Sequence, residues 1–271
     1  MPSYYETMRL AWLTDIHLNF LKNDDLAEFV VFLAKHDAEA FVITGDIAEG
    51  NTIGKYLKIL AEAIDKQIYF VLGNHDFYRE TIAGARVQVA KMCRAHDNLV
   101  WLNEAGVVRL TENAALVGHD GWADGRFGDY ENTEVMLSDH ILIRDFARCG
   151  KDERLELVQK LADDAVEHFE RHLHDALRDY EIVYAATHPV PFKEACLYNG
   201  KMSSEDFLPH FASKIIGEKL KEIMQGYPEN KLTVLCGHVH YPAEVEILPN
   251  LKVIVGGARY SYPQVQRVIE V

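Results

Sequence analysis

No lysine- or arginine-rich stripe runs through this chain, and its formal net charge is −14. Without such a stripe a protein does not displace the counterions of a long nucleic acid, so single strands and duplexes are not expected as main partners. No apolar stretch approaches the roughly 18 residues that cross a bilayer, so no membrane span is expected. Residues 1–9 lack a basic segment followed by an apolar run, so no secretory signal is expected either. Cysteine is scarce: Cys93, Cys149, Cys196 and Cys236 lie far apart and form no Cys-x-x-Cys pair. That set reads as reduced and cytoplasmic, not as a disulfide framework. There is no internal repeat and no low-complexity linker.

What is present is an apolar content of 48% over 271 residues, enough for a substantial core and too much for disorder. The length suits a single domain, residues 1–271, with or without an inserted part. Apolar strand-type runs at residues 9–13, 40–44 and 68–72 alternate with helical spacing over residues 24–36 and from Asn51 or Thr52 to about Ile64. Asp24 is the expected N-cap of the first helix. This is the β-α-β-α-β order of a parallel sheet covered by helices.

A third helix is expected over residues 82–96, then short strands near Val100, Val107 and Leu116. Residues 120–139 are rich in Gly, Asp, Asn and aromatics and read as a long surface loop, a type that is often functional. Residues 152–180 keep three-and-four apolar spacing throughout, so a long helix is expected there. Together, residues 120–180 form a loop plus helix that would serve as a cap or an interaction surface. His168 and His172 lie four apart on that helix, on what reads as a solvated or partly packed face. Strands at 182–186 and 232–236 flank a loop with Tyr198-Asn199-Gly200 and a helix over 213–224. Residues 245–248, 251–255 and 265–271 have β character.

The chain is organised around Leu72-Gly73-Asn74-His75-Asp76, at the carboxyl end of an expected buried strand. Open α/β sheets place ligands at that edge. Four other strand ends carry similar side chains: Asp15 with His17, Asp46, His188, and His238 with His240. Taken singly, these are ordinary turn and cap residues. Five such ends in order are not explained that way. Asp-x-His and His-x-His have the two-residue period of an extended chain, which would put both side chains of each pair on one side. Carboxylate, amide and imidazole ligands suit Mn²⁺, Fe or Zn²⁺, not Ca²⁺ or a thiolate-bound metal.

The full set resembles the signature of the calcineurin-like metallophosphoesterases. Its blocks appear as Asp15-Ile16-His17, Gly45-Asp46, Gly73-Asn74-His75-Asp76, His188 and Gly237-His238-Val239-His240. The resemblance implies an α/β fold: a two-sheet β-sandwich flanked by helices in α/β/β/α layers. It implies two divalent metal ions, one on Asp15, His17 and His240, the other on Asn74, His188 and His238, with Asp46 bridging. It further implies hydrolysis of a phosphoester by a metal-bridging hydroxide, with His75 as general acid towards the leaving oxygen. Glu49 or Asp76 would orient His75.

The serine/threonine protein phosphatases of this family carry Asp-Arg-Gly in the second block. Here Asp46 is followed by Ile47-Ala48-Glu49, so their arginine clamp is missing and protein phosphatase activity is not expected. Thr187-His188-Pro189 is more similar to the phosphodiesterase-type members. A small phosphodiester is therefore the expected substrate. A phosphomonoester comes next, then a nuclease, then a catalytically inactive scaffold of the same fold. Trp122, Arg126 and Phe127 in the long loop, with Tyr198 and Asn199, are the candidate substrate contacts.

Overall fold

The computed structural model describes residues 7–271. Most of the stretch on which no secretory signal is expected lies outside them. In chain order the first half holds β1 (Arg9–Leu13), α1 (Asn23–Lys35), β2 (Ala40–Thr44), α2 (Ile53–Ala63), β3 (Gln67–Val71), α3 (Ile82–Ala95), β4 (Leu99–Trp101), α4 (Leu102–Ala105), β5 (Val108–Arg109) and β6 (Ala114–Gly118). The second half holds α5 (Asp139–Leu142), α6 (Lys151–Asp179), β7 (Ile182–Ala186), β8 (Leu197–Tyr198), β9 (Lys201–Met202), α7 (Leu208–Phe211), α8 (Lys214–Gln225), β10 (Lys231–Cys236), β11 (Ala243–Leu248), β12 (Leu251–Val255) and β13 (Arg267–Glu270).

Two large sheets face each other. The first runs β13-β1-β2-β3-β4, with β1 to β4 parallel and β13 antiparallel at its edge. The second runs β11-β12-β10-β7-β6-β5, with a parallel centre from β12 to β6 and antiparallel strands at both edges. Both faces of the central strands are covered, which is why β2 and β6 are buried at every residue and read as unbroken apolar runs.

Trp12, Val42, Val71, Leu116, Tyr184 and Leu235 pack between the sheets. On the outside of the first sheet, α1, α2 and α3 lay down Leu33, Leu57 and Val89. On the outside of the second, α6 and α8 contribute Phe169, Leu173, Leu220 and Met224. The result is the expected helix-sheet-sheet-helix layering. All the parallel strands of both sheets end on the same side, so the loops that follow them converge there.

The boundaries depart from expectation where local chemistry competes with periodicity. The cap of α1 is Lys22, and Asp24 lies inside the first turn, where its charge still meets the positive end of the helix dipole. Residues 197–202 form a two-stranded hairpin, not a loop. Asn199 and Gly200 both have positive φ (49° and 73°), as a two-residue turn of mirror-image type requires. The short helices α4, α5 and α7 are too brief to leave a periodic signature. Among the described residues no helix is long and apolar enough to cross a membrane.

Candidate metal centre

Each candidate ligand follows a strand. Asp15 and His17 follow β1, Asp46 follows β2, and Asn74 and His75 open a single 3-10 turn, Asn74–Phe77, after β3. These come from the first sheet. His188 follows β7, and His238 and His240 follow β10, from the second. The centre therefore straddles the carboxyl edges of both sheets. It is close-packed: a Cβ on Gly73 would collide with the Asp46 carboxylate, and one on Gly45 with the His188 ring.

The ligand pairs do not reach the centre as extended chain. Asp15, His17, Asp46, His238 and His240 all lie in the left-handed region, with φ of 49°, 40°, 53°, 72° and 60°. Side chains two apart converge because the backbone coils at each residue, not because it alternates. Residues with a Cβ reach this region at a cost, and such strain gathers at functional sites.

At one end of the centre Asp15, His17, Asp46 and His240 offer ligand atoms that all lie within 4.8 Å of one another. His17 Nε2 is 3.3 Å from His240 Nε2, and His240 Nε2 is 3.3 Å from Asp15 Oδ1. At the other end His188 Nε2 lies 3.1 Å from Asn74 Oδ1. His188 Nδ1 lies 2.8 Å from the Thr44 carbonyl, the kind of outer contact that fixes a ligating imidazole with Nε2 inward. Asp46 serves both ends: Oδ2 is 3.7 Å from His17 Nε2 and Oδ1 is 3.4 Å from His188 Nε2. The His238 ring sits 4.9 Å from that of His188, but its Nε2 is engaged 3.0 Å from the His210 carbonyl.

Burial pushes the Asp15 and Asp46 carboxylates up, but neighbouring imidazoles hold both below the ordinary carboxylate range. His240 and His188 do this for Asp15, and His188 and His75 for Asp46. Burial pulls His188 down, yet Asp46 raises it to about 10. His17, buried and ringed by other imidazoles, is pushed down to about 4. Two sequestered anions facing a ring of imidazole nitrogens, with an amide oxygen and no thiolate, form a donor set that fits divalent cations.

His75 stands beside the Asp15, His17, Asp46 and His240 group without being one of its four members, its ring 4.6 Å from that of His17. Its backbone N–H donates to Asp46 Oδ1 at 2.8 Å, and its ring stacks on Tyr78 with centroids 4.2 Å apart. Neither carboxylate expected to orient it does so. Asp76 accepts from the backbone N–H groups of Ala48 and Gly73, both at 2.8 Å, and so ties the turn after β2 to the turn after β3. Burial and the charge of Asp46 push its carboxyl up to about 8. Glu49 pairs with Arg79 at 2.6 Å.

A residue without any sequence signal stands here instead. Asp139, at the start of α5, accepts from Asn74 Nδ2 at 2.9 Å and from the Tyr78 hydroxyl at 2.6 Å. One carboxylate thus holds the Asn74 amide with its oxygen towards His188 and fixes the ring on which His75 stacks. It follows Ser138 in a segment with neither strand nor helix periodicity, so nothing in the sequence marks it.

The centre opens into a cavity of about 900 Å³. Tyr198 and Asn199 line it; Trp122, Arg126 and Phe127 do not. Trp122 is buried between Phe77 and Phe146, Arg126 pairs with Asp124 and Asp163, and Phe127 packs on the core under the second sheet. The loop's aromatics pin it to the core because their area is worth more buried than exposed. No residue of α6 lines the cavity. The His168 and His172 rings lie 4.5 Å apart, tilted to each other, but only the Asp15, His17, Asp46 and His240 group brings three or more such ligand atoms together among the described residues.

Comparison with solved structures finds the same fold in a phosphopantetheinyl hydrolase from Mycobacterium tuberculosis, at 15% identity and TM-score 0.65, covering 97% of this chain and 95% of that one. A dimetal phosphatase from Danio rerio matches at 13% identity and TM-score 0.58, covering 94% and 89%. A 5'-nucleotidase from Candida albicans matches at 12% identity and TM-score 0.50, covering 93% of this chain and 46% of that one. A comparison with curated proteins finds no match. The family model for calcineurin-like phosphoesterases matches residues 8–242, from the first strand through both histidines after β10. The chain belongs to the calcineurin-like phosphoesterases, hydrolases of phosphoester bonds.

Proposed function

We propose that this chain hydrolyses a small-molecule phosphodiester, with phosphomonoesters as the second class. It works as one catalytic domain with two divalent ions, Mn²⁺, Fe or Zn²⁺. Asp15, His17 and His240 hold one ion, Asn74, His188 and His238 hold the other, and Asp46 is shared. The observation that carries this reading is the position of Asp46, whose two oxygens point one to each half of the donor set. Such a pair of ions supplies a hydroxide near neutral pH and neutralises charge on the phosphoryl oxygens.

The chain supplies the rest. His75, with Nε2 3.9 Å from Asp46 Oδ2, stands beside the centre and gives a proton to the leaving oxygen. Tyr78 and Asp139 hold its ring in place. The preference for a diester rests on charge. A diester carries one negative charge and a dianionic monoester two. Among the described residues Lys201 is the one Lys or Arg side chain lining the cavity. The four free thiols fit a reducing cytoplasm.

The test is to strip the protein with chelator, restore Mn²⁺, and compare bis-p-nitrophenyl phosphate with p-nitrophenyl phosphate, with Asp46→Asn as control. Faster Mn²⁺-dependent cleavage of the diester, abolished by Asp46→Asn, is the expected result. A monoester preference moves the assignment to a small-molecule phosphatase. Two bound metals with activity on neither compound overturns the catalytic reading for these ester classes.

A further inference from the structure

The cavity has two chemically distinct ends. At the Asp15 end Tyr260 packs against the rings of His17, His75 and His240, with centroids 4.6, 6.1 and 5.2 Å away. At the His188 end Phe211 packs 5.0 Å from His238, and Phe207 stacks on Phe211 at 6.1 Å and 26°. The β8–β9 hairpin forms the wall beside them. Tyr198 and Lys201 are directly paired across that hairpin, so they share a face. Tyr198 also meets Tyr241 edge-on at 4.9 Å.

Large side chains on this wall are left in water: Tyr198 is 60% exposed and Phe207 45%. Clustered exposure of that kind, at the mouth of a catalytic cavity, marks a surface that a ligand covers. The proton donor His75 lies at the opposite, Tyr260 end, which is therefore where the leaving group departs. Phe207 and Phe211, at the His188 end, face the part of the substrate that stays on phosphorus, while Tyr198 meets Tyr241, next to His240.

Building on the phosphodiesterase reading, we propose that this retained arm is a planar aromatic group seated against Phe207 and Phe211, with Tyr198 of the hairpin lining the same cavity. Rings in offset-stacked and edge-on arrangements give a flat-sided slot, which suits another ring better than a flexible chain. Lys201, the one Lys or Arg lining the cavity among the described residues, offers charge for one further anionic group. A polyphosphate arm has nothing to neutralise it there. Aryl and nucleoside arms satisfy both conditions.

Three diesters with the same leaving group isolate the retained arm: phenyl, ethyl and octyl p-nitrophenyl phosphate, assayed with the Mn²⁺-loaded protein. The expected result is kcat/KM about tenfold or more higher for phenyl than for ethyl, mostly through KM, with octyl well below phenyl. Tyr198→Ala and Phe207→Ala should each bring the phenyl-to-ethyl ratio down several-fold; both side chains are largely solvent-exposed, so the fold should tolerate them. Calorimetry with phenylphosphonate and ethylphosphonate, which are not hydrolysed, should give the same order in Kd.

A wild-type ratio near one overturns the proposal, as does octyl at or above phenyl. An unchanged ratio in both variants overturns the placement of the arm. Each of those results leaves the phosphodiesterase reading standing. Hydrolysis of none of the three esters by protein that binds two metals overturns that reading instead.

Discussion

In the proposed mechanism His75 and Asp139 act at one remove from the ligands, and that separation is measurable. His75→Asn is expected to lower turnover about 10²–10⁴-fold, as loss of a positioned acid does, while metal content by elemental analysis stays normal. Loss of metal would make His75 a ligand. Asp139→Asn is expected to behave differently, because Asp139 holds the Asn74 amide through its Nδ2. Removing an outer partner of this kind typically costs about 10–100-fold in metal affinity, so metal content should fall towards one ion per chain at limiting Mn²⁺. The candidate ligands stand out in the sequence because imidazoles and carboxylates at strand ends are chemically conspicuous. Asp139 does not, since one acid in an aperiodic loop looks like any solvated acid. Nor does the role of Asp76, because a carboxylate capping backbone N–H groups leaves no mark in spacing.

Among elements, the turn after β3 is tightly constrained, and its constraint is spatial. Gly73 has an ordinary φ of −106°, yet a Cβ there would strike the Asp46 carboxylate and lie 2.6 Å from the Asp46 backbone nitrogen. Gly73→Ala must therefore displace Asp46. It is expected to destabilise the fold by about 1–3 kcal/mol in urea titrations, as overpacking does, and to lower binding of both metals because Asp46 serves both ends. Long strands and helices were legible throughout, since their apolar periods survive in the sequence. The β8–β9 hairpin was hidden by its brevity, although Asn199-Gly200 is a recognised turn pair. The loop aromatics Trp122 and Phe127 were ambiguous for a general reason. An aromatic in a loop has equal chemistry whether it faces the core or a ligand, and only packing decides.

For the whole molecule, acid should be more damaging than base. His119 is buried beneath α6 with its ring 5.1 Å from that of His168, and burial together with nearby Arg86 pushes it down to about 3. Burial and the neighbouring histidines lower His168 to about 3 as well. Above the ordinary histidine pKa of about 6.5 both states hold these rings neutral, and stability does not depend on them. Below it the unfolded chain takes up protons that the folded chain refuses. Stability then falls at about 1.4 kcal/mol per pH unit for a fully buried ring such as His119, until the folded pKa is reached. His119→Gln, which keeps an acceptor for the Gly121 N–H, should flatten the decline in urea midpoint between about pH 6.5 and pH 4.5. An unchanged slope would mean that other groups carry the acid sensitivity.

The left-handed backbone at Asp15, His17, Asp46, His238 and His240 has a consequence for what the polypeptide is without its ions. A left-handed residue with a Cβ costs roughly 1 kcal/mol or more, so five of them together forfeit an amount comparable to a modest domain's entire margin over unfolding. Two anions are also sequestered there, with imidazoles and no lysine or arginine paired to them among the described residues. Bound cations repay both debts at once, and their contribution grows with the logarithm of free ion concentration. The apparent melting temperature should therefore drop on chelation and recover stepwise as Mn²⁺ is titrated back. A cell starved of these ions would lose not only turnover but the protein itself, to the proteases that clear partly unfolded chains.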